Sequence, residues 1–317
     1  MVSTLQPKLA TVQSSLPPSR EIPRRPLGKT GVEVSLLALG GAHLGRIDCE
    51  KKAVDLVHEA VDAGLNLFDN AWEYHNGRSE AWMGKALLGR RHEVIVMTKV
   101  CTHGRNKKLA FLQLEASLRR LRTDYLDLWQ IHEVIYPDEP DQHFGPDGTI
   151  EALLEAKRQG KVRFVGFTGH KDPAIHLQML QYGFSWDTCQ LPLNVFDSTF
   201  RSFERTVLPE LTRRGIAPLA MKTFGGNGDP IRQGVLTAEE ALRYVLSLPI
   251  ASVISGVDSL EVLHQNLSIA RQFTPMTEDE MRALRGRVEH HAADGRFEGF
   301  KSSQMYDSTI GRELHKR

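Results

Sequence analysis

Cysteine is scarce in this chain. Cys49, Cys101 and Cys189 are the only three in 317 residues, far apart and without a Cys-x-x-Cys pair. That excludes a disulfide framework, a zinc knuckle and an iron–sulfur cluster, and it fits a reducing cytoplasm. Charge imbalance is missing too: 40 basic against 39 acidic residues leave a formal charge of +1. With no field to gather nucleic acid or an anionic membrane, a small molecule is the expected partner. No apolar stretch approaches the roughly 18 to 20 residues needed to cross a bilayer, so a soluble chain is expected. Residues 1–22, rich in Ser, Pro, Gln and Thr, lack the apolar segment of an export signal and read as a flexible tail. No G-x-G-x-x-G follows the first apolar run, which weighs against a doubly wound dinucleotide fold. The adjacent His290 and His291 fall in a terminal helix and no run ends in His-x-His, so no metal centre is expected.

What the chain does contain is a rhythm. Eight short runs rich in Val, Ile and Leu begin at Val34, Asn66, Val94, Leu126, Val162, Asp187, Ile216 and Ser252, spaced 25 to 36 residues apart. That spacing accommodates one strand and one crossover helix per unit. Between the runs, "CEKKAVDLVHEAVDAG" places Val54, Val57 and Val61 on one stripe and stops at Gly64. "KKLAFLQLEASLRRLR" predicts a second stripe of Leu109, Leu112, Ala116 and Leu118. "TIEALLEAKRQGK" predicts a helix capped by the Thr149 hydroxyl and ended at Gly160. Runs apolar on both faces indicate a buried parallel sheet, and eight consecutive units indicate a single-domain α/β (β/α)8 TIM barrel over residues 23–290. "RPLGKTGVEVS" predicts an N-terminal β-hairpin that plugs one end. A last helix starting near Thr277 leads into a polar C-terminal tail, residues 291–317.

In such a barrel, reactive groups collect where strands end. Asp69 and Tyr74 follow the second run, Lys99 ends the third and His132 ends the fourth. Singly, an acid there reads as a helix cap and a lone histidine as a core residue. Together they form a constellation that packing does not require. It supports proton transfer to or from an oxygen: an ammonium at Lys99 would lower the pKa of the Tyr74 phenol, Asp69 would hold the lysine, and His132 would orient a carbonyl.

At these residues the sequence resembles the aldo-keto reductase superfamily, from about Pro26 to Phe273. "NLFDNAWEYHNGRSE" is similar to the family's Asp-Thr-Ala-x-x-Tyr-Gly segment, "VIVMTKV" to its lysine strand and "DLWQIH" to its histidine strand. The resemblance implies a catalytic set of Asp69, Tyr74, Lys99 and His132, with Tyr74 the general acid/base, and an extended NADPH or NADH. By motif it carries cofactor contacts to Thr168, Gly169, Gln190, Lys222, Gly225, Gly256, Asp258, Gln265 and Asn266. The chain departs from the pattern at Gly169, which lacks the usual amide, and at Leu193, which replaces a stacking aromatic; Phe196 is expected to compensate. Where many relatives grip a 2'-phosphate with a basic residue, Gly256, Val257 and Asp258 stand. Those residues favour NADH, whereas the family's habit favours NADPH.

On the substrate side, His43, Trp72, His103, Glu133 and His170 are expected at the reactive face, with the C-terminal tail closing over them. They suit a hydroxylated, sugar-like aldehyde or ketone. Two other readings stay open: a cofactor-binding regulatory protein without turnover, and a Schiff-base lyase using Lys99 as nucleophile.

Overall fold

The computed structural model describes residues 21–101 and 106–309. The described residues open with the expected hairpin, β1 (Arg24–Pro26) antiparallel to β2 (Glu33–Ser35). Eight parallel strands then close into a barrel: β3 (Leu37–Gly40), β4 (Leu67–Asp69), β5 (Ile95–Val100), β6 (Leu126–Ile131), β7 (Val162–Thr168), β8 (Thr188–Pro192), β9 (Ala217–Met221) and β10 (Ser252–Gly256), which pairs back with β3. Each expected run supplies one barrel strand.

Strand periodicity sorts the buried side chains into two cores. Phe68, Val96, Trp129, Val165 and Cys189 pack outward against the helices. Leu67, Met97, Leu128, Leu219 and Ile254 pack together inside the barrel with Leu27 and Val34 of the hairpin. The hairpin therefore seals the N-terminal end with its own apolar pair. Its Gly28 adopts φ 58°, and a Cβ there would stand 2.9 Å from the Gly215 carbonyl oxygen, so only glycine fits this approach.

Two helical details differ from expectation. Helix Lys107–Leu121 buries Ala110, Leu114, Leu118 and Leu121, leaving Leu109 and Leu112 exposed. Leucines occur on both faces of this helix, and the i, i+4, i+8, i+11 set holds the core-facing line better than the set chosen from sequence. Helix Thr149–Arg158 has Gly148 at its N-cap with no side-chain cap; the Thr149 hydroxyl instead lies 3.0 Å from His143 Nδ1. Among the described residues, no helix is long and apolar enough to cross a membrane.

The C-terminal part starts as expected with helix Glu278–Ala292, whose Thr277 and Glu280 form a reciprocal capping box. A short helix, Gly299–Ser302, follows and buries Lys301 completely. The Lys301 Nζ meets Asp197 at 2.6 Å and Glu298 at 2.8 Å and donates to the Phe200 carbonyl at 2.6 Å. This anchor fixes the chain that runs on to residue 309 over the barrel's C-terminal face. At the other end, Ile22 is buried in the core; residues 1–20 of the expected tail, and 310–317, lie outside the described residues.

His176, in helix Pro173–Gln181, is buried between Phe167 and Phe203, with ring centroids 5.3 and 4.9 Å away. Burial pushes its imidazole down to about 3. An unfolded histidine titrates near about 6.5, so this contribution to stability is complete above that pH and is lost as pH falls toward the folded value, by up to about 1.4 kcal/mol per pH unit. His176→Leu should therefore flatten the decline of urea-unfolding stability between mildly acidic pH values. Equal slopes for the two proteins would show that the folded imidazole takes up a proton freely.

Candidate active site

The inner faces of the strands change character along the barrel. Leu67 gives way to Asp69 on β4, Met97 to Lys99 on β5, and Leu128 to Gln130 on β6, all buried. The polar layer is tightly built. Gln130 donates through Nε2 to Gln190 Oε1 at 2.9 Å and accepts from the Thr188 hydroxyl at 3.2 Å. Gly166 leaves the room for this, since a Cβ there would lie 2.1 Å from Thr188 Oγ1.

Asp69, Tyr74, Lys99 and His132, expected from the sequence to act together, meet at this end. Lys99, 1% exposed, bonds Asp69 Oδ1 and donates to the Asn70 carbonyl at 2.7 Å. Its Nζ stands 5.1 Å from the Tyr74 ring centroid, and the Tyr74 ring meets the His132 ring edge-on at 5.6 Å. Burial raises the Asp69 carboxyl despite Lys99. The phenol departs from expectation: burial, with the charges of Asp69, Glu73 and Glu133, raises the Tyr74 pKa well above its ordinary value. Desolvation and three carboxylates outweigh one ammonium already committed to Asp69. The group is held as a proton donor.

The loop that carries Tyr74 is braced from behind. His75 and Asn76 adopt φ 52° and 56°, and Gly77 follows at 86°. Arg120 reaches under the loop to donate to the Trp72 carbonyl at 2.8 Å and to the fully buried Glu80 at 3.1 Å, and Glu80 also accepts from Thr98 at 2.7 Å.

Sequence reasoning missed two neighbours of this set. Glu73 Oε1 lies 2.9 Å from His132 Nδ1, and its Oε2 accepts from Cys101 Sγ at 2.8 Å and from the Ser308 hydroxyl. Burial opposes the Glu73 charge, yet His132, Cys101 and Ser308 together bring its carboxyl down to about 2. Glu133, expected in the pocket, accepts from the Ser308 amide at 3.0 Å; burial and the neighbouring Glu73 raise it to about 7. Adjacency to Tyr74 was the one sequence signal for Glu73; Ser308, more than two hundred residues away in sequence, offered none.

A cavity of about 400 Å³ opens at Asp69 and Tyr74 and runs outward past Gln190 and Lys222 to Asp258. Gly256, Gln265 and Asn266 line its far part, and His43, expected on the substrate side, stands beside Gly256 there. Thr223, Asn227, Gly228 and Arg232 line it without having been foreseen. Two polar atoms in its wall, Thr223 Oγ1 and Asn266 Oδ1, are buried without a hydrogen-bond partner among the described residues. Such unpartnered oxygens, in a cavity whose lining includes Gly40, Gly226, Gly228 and Gly256, fit a polar ligand such as a dinucleotide. Burial lowers Lys222 to about 8, and its Nζ sits 5.2 and 5.0 Å from the Phe300 and Tyr306 rings.

Several expected contacts lie elsewhere. Thr168, Gly169 and Gly225 do not line the cavity. A Cβ on Gly169 would lie 2.4 Å from the Val134 carbonyl oxygen, so the missing amide is explained by close packing. A Cβ on Gly225 would lie 2.7 Å from the Phe297 carbonyl oxygen, which makes it a docking point for the C-terminal segment. Phe196 does not replace the missing aromatic; it is buried against Phe297, with centroids 5.0 Å apart. Trp72 packs under Arg120, its ring 5.3 Å from the guanidinium, and is not part of the cavity wall. His170 is buried beside Asp307, 3.5 Å away. His103 lies outside the described residues.

Comparison with known proteins bears on the family and the fold. The sequence model of the Aldo/keto reductase family matches residues 36–228. An oxidoreductase of Bacillus subtilis, YqkF, is 27% identical over 305 residues, covering 84% of this chain and 96% of its own length. The L-galactose dehydrogenase of Arabidopsis thaliana is 28% identical over 310 residues, covering 82% and 92%. Among solved structures, the holo form of an aldo-keto reductase from Bacillus halodurans superposes with a TM-score of 0.71 at 26% identity, covering 84% of this chain and 96% of that one.

The bracing of the Tyr74 loop is testable at Gly77. A Cβ there would lie 2.2 Å from Arg120 Cζ on a backbone that disfavours L side chains. Gly77→Ala should cost about 2 kcal/mol in chemical unfolding, through left-handed strain plus displacement of Arg120. Unchanged stability would show that Arg120 does not brace the loop.

Proposed function

This chain belongs to the aldo/keto reductase family, and we propose that it interconverts the carbonyl of an aldehyde or ketone with the corresponding alcohol, using a nicotinamide dinucleotide and Tyr74 as general acid/base. The observation that carries this reading is the placement of the Tyr74 phenol, between Lys99 and His132 in the wall of the cavity. In the reductive direction the phenol donates its proton to the carbonyl oxygen. His132, edge-on to the ring, orients that oxygen, and Glu73 holds the imidazole from its other side. The bound nicotinamide supplies or accepts the hydride at the carbonyl carbon.

The cavity residues suit such a cofactor. Gln190 sits nearest the reacting end, and Thr223 and Asn266 offer unsatisfied oxygens further out. Asp258 at the far end would repel a 2'-phosphate and accept from a 2'-hydroxyl. Arg232 shares that wall but is paired with Asp229. The local charges therefore favour NADH over NADPH. Lys99, engaged by Asp69 and the Asn70 carbonyl, is poorly placed to become a Schiff-base nucleophile.

Tyr74→Phe should lower carbonyl reduction by on the order of 10²- to 10⁴-fold while the dinucleotide still quenches tryptophan fluorescence on binding. Turnover at the wild-type rate would overturn the role given to Tyr74. A parallel titration with NADH and NADPH should show tighter binding of NADH. Asp258→Arg should shift that preference toward NADPH, and an unmoved preference would remove Asp258 from the site.

A further inference from the structure

The C-terminal segment does more than cover the reactive face. Beyond the Lys301 anchor, Met305 is 83% exposed, Tyr306 meets the Phe300 ring edge-on at 6.1 Å, and the two residues after it hold on through polar contacts. Asp307 pairs with Lys171 at 2.5 Å and accepts from the Tyr136 hydroxyl at 3.4 Å. Ser308 then places two donors on two carboxylates beside His132: its hydroxyl on Glu73 and its amide N–H on Glu133, at 3.0 Å. Those donors are joined by the atoms N–Cα–Cβ–Oγ. A vicinal diol joins its two hydroxyls by the same four-atom pattern, O–C–C–O.

We infer that Glu73 and Glu133 are the specificity-determining acceptors for a polyhydroxylated substrate, and that Ser308 is an internal surrogate for its vicinal diol. The inference rests on the reductase reading of the same site and adds the substrate's class: a hydroxyaldehyde or hydroxyketone with adjacent hydroxyls near the carbonyl. The carboxylates accept two hydroxyl donors in place of Ser308 while the carbonyl lies toward Tyr74 and His132. The segment swings aside from its anchor at Lys301, and Asp307 leaves Lys171 when it does.

A divalent cation is the rival occupant, because Glu73, His132 and Glu133 each bring one ligand atom within 4.8 Å of the others. Two observations favour hydroxyl donors. Oxygens of both carboxylates already accept O–H and N–H groups of the protein, and Lys222 supplies positive charge to the same cluster, bearing on Glu133 directly.

The test compares glyceraldehyde with propanal, which has three carbons and no diol, using the full chain with NADH and NADPH and with benzaldehyde as a third carbonyl. The expected wild-type preference in kcat/KM for glyceraldehyde is on the order of tenfold or more, the yield of a hydrogen bond to a charged acceptor. Glu133→Gln should collapse that preference toward unity. Ser308→Ala should lower the glyceraldehyde KM several-fold, because the competing hydroxyl is gone. Equal use of glyceraldehyde and propanal by the wild type, a preference that survives Glu133→Gln, or an unchanged KM in Ser308→Ala would each overturn the inference and leave the reductase standing. No turnover of any of the three aldehydes would remove the reductase reading as well. Calorimetric binding of zinc or manganese alone to the full chain, abolished by Glu133→Gln and without a diol preference, would assign the cluster to a metal and overturn the diol.

Discussion

Everything at the reactive end of this barrel is arranged around an ammonium that cannot reach water. Stripping Lys99 and Asp69 of solvent costs several kcal/mol per ion, by order of magnitude, and their attraction offsets this only where the remaining donors and acceptors are also satisfied. The Asn70 carbonyl takes a second Lys99 hydrogen. Those bonds require β4 and β5 to end at matched heights, which the parallel register Leu67 to Ile95 and Asp69 to Met97 provides. They also require a dry floor, which the hairpin and the inner apolar layer supply. The site is thus a consequence of how the barrel is filled, apolar below and polar above.

A second buried ammonium performs a related task at the chain's far end. Lys301 faces Asp197 and Glu298, and the aromatic rings of Phe200, Phe203 and Phe300 lie within 6.0 Å of it. Burial and the charge of Asp197 raise Glu298 to about 7, with Lys301 opposing them. The two acids share one cation rather than each holding its own. This fixes residues 297–302 firmly, so the few residues beyond can sit over the site through polar contacts without being part of the core. A strap with a rigid root and a polar tip can cover a pocket and still leave it, because little apolar surface is exposed when the tip moves.

The sequence was most legible where one periodicity decided the outcome. Eight apolar runs became eight barrel strands, because a strand buried on both faces leaves a nearly continuous apolar signature. Asp69, Tyr74, Lys99 and His132 were legible as a group because polar residues at the ends of such runs have no packing reason to be there. The helix at Lys107–Leu121 was misjudged at Leu109 and Leu112 because leucines on both faces make the phase ambiguous. Glu73 and Ser308 were invisible for a different reason: their roles arise from the fold bringing residue 308 back over residue 73. Phe196 was misread because the nearest aromatic in sequence has its ring taken by Phe297.

The direction of the Tyr74 shift changes how the site should be understood. By residue type alone, the lysine is an activator that acidifies the phenol. In the fold, Asp69 neutralises that lysine at contact distance, while Glu73 and Glu133 add negative charge on the phenol's other side. The net field opposes a phenolate, so the phenol keeps its proton until a more basic oxygen is presented to it. A carbonyl oxygen becomes such a base only as hydride reaches its carbon, since negative charge then develops on it. In the reaction proposed for this site, a donor that is reluctant to ionise would give up its proton late, with hydride transfer rather than before it, and carboxylates that seem to work against catalysis would help couple the two events.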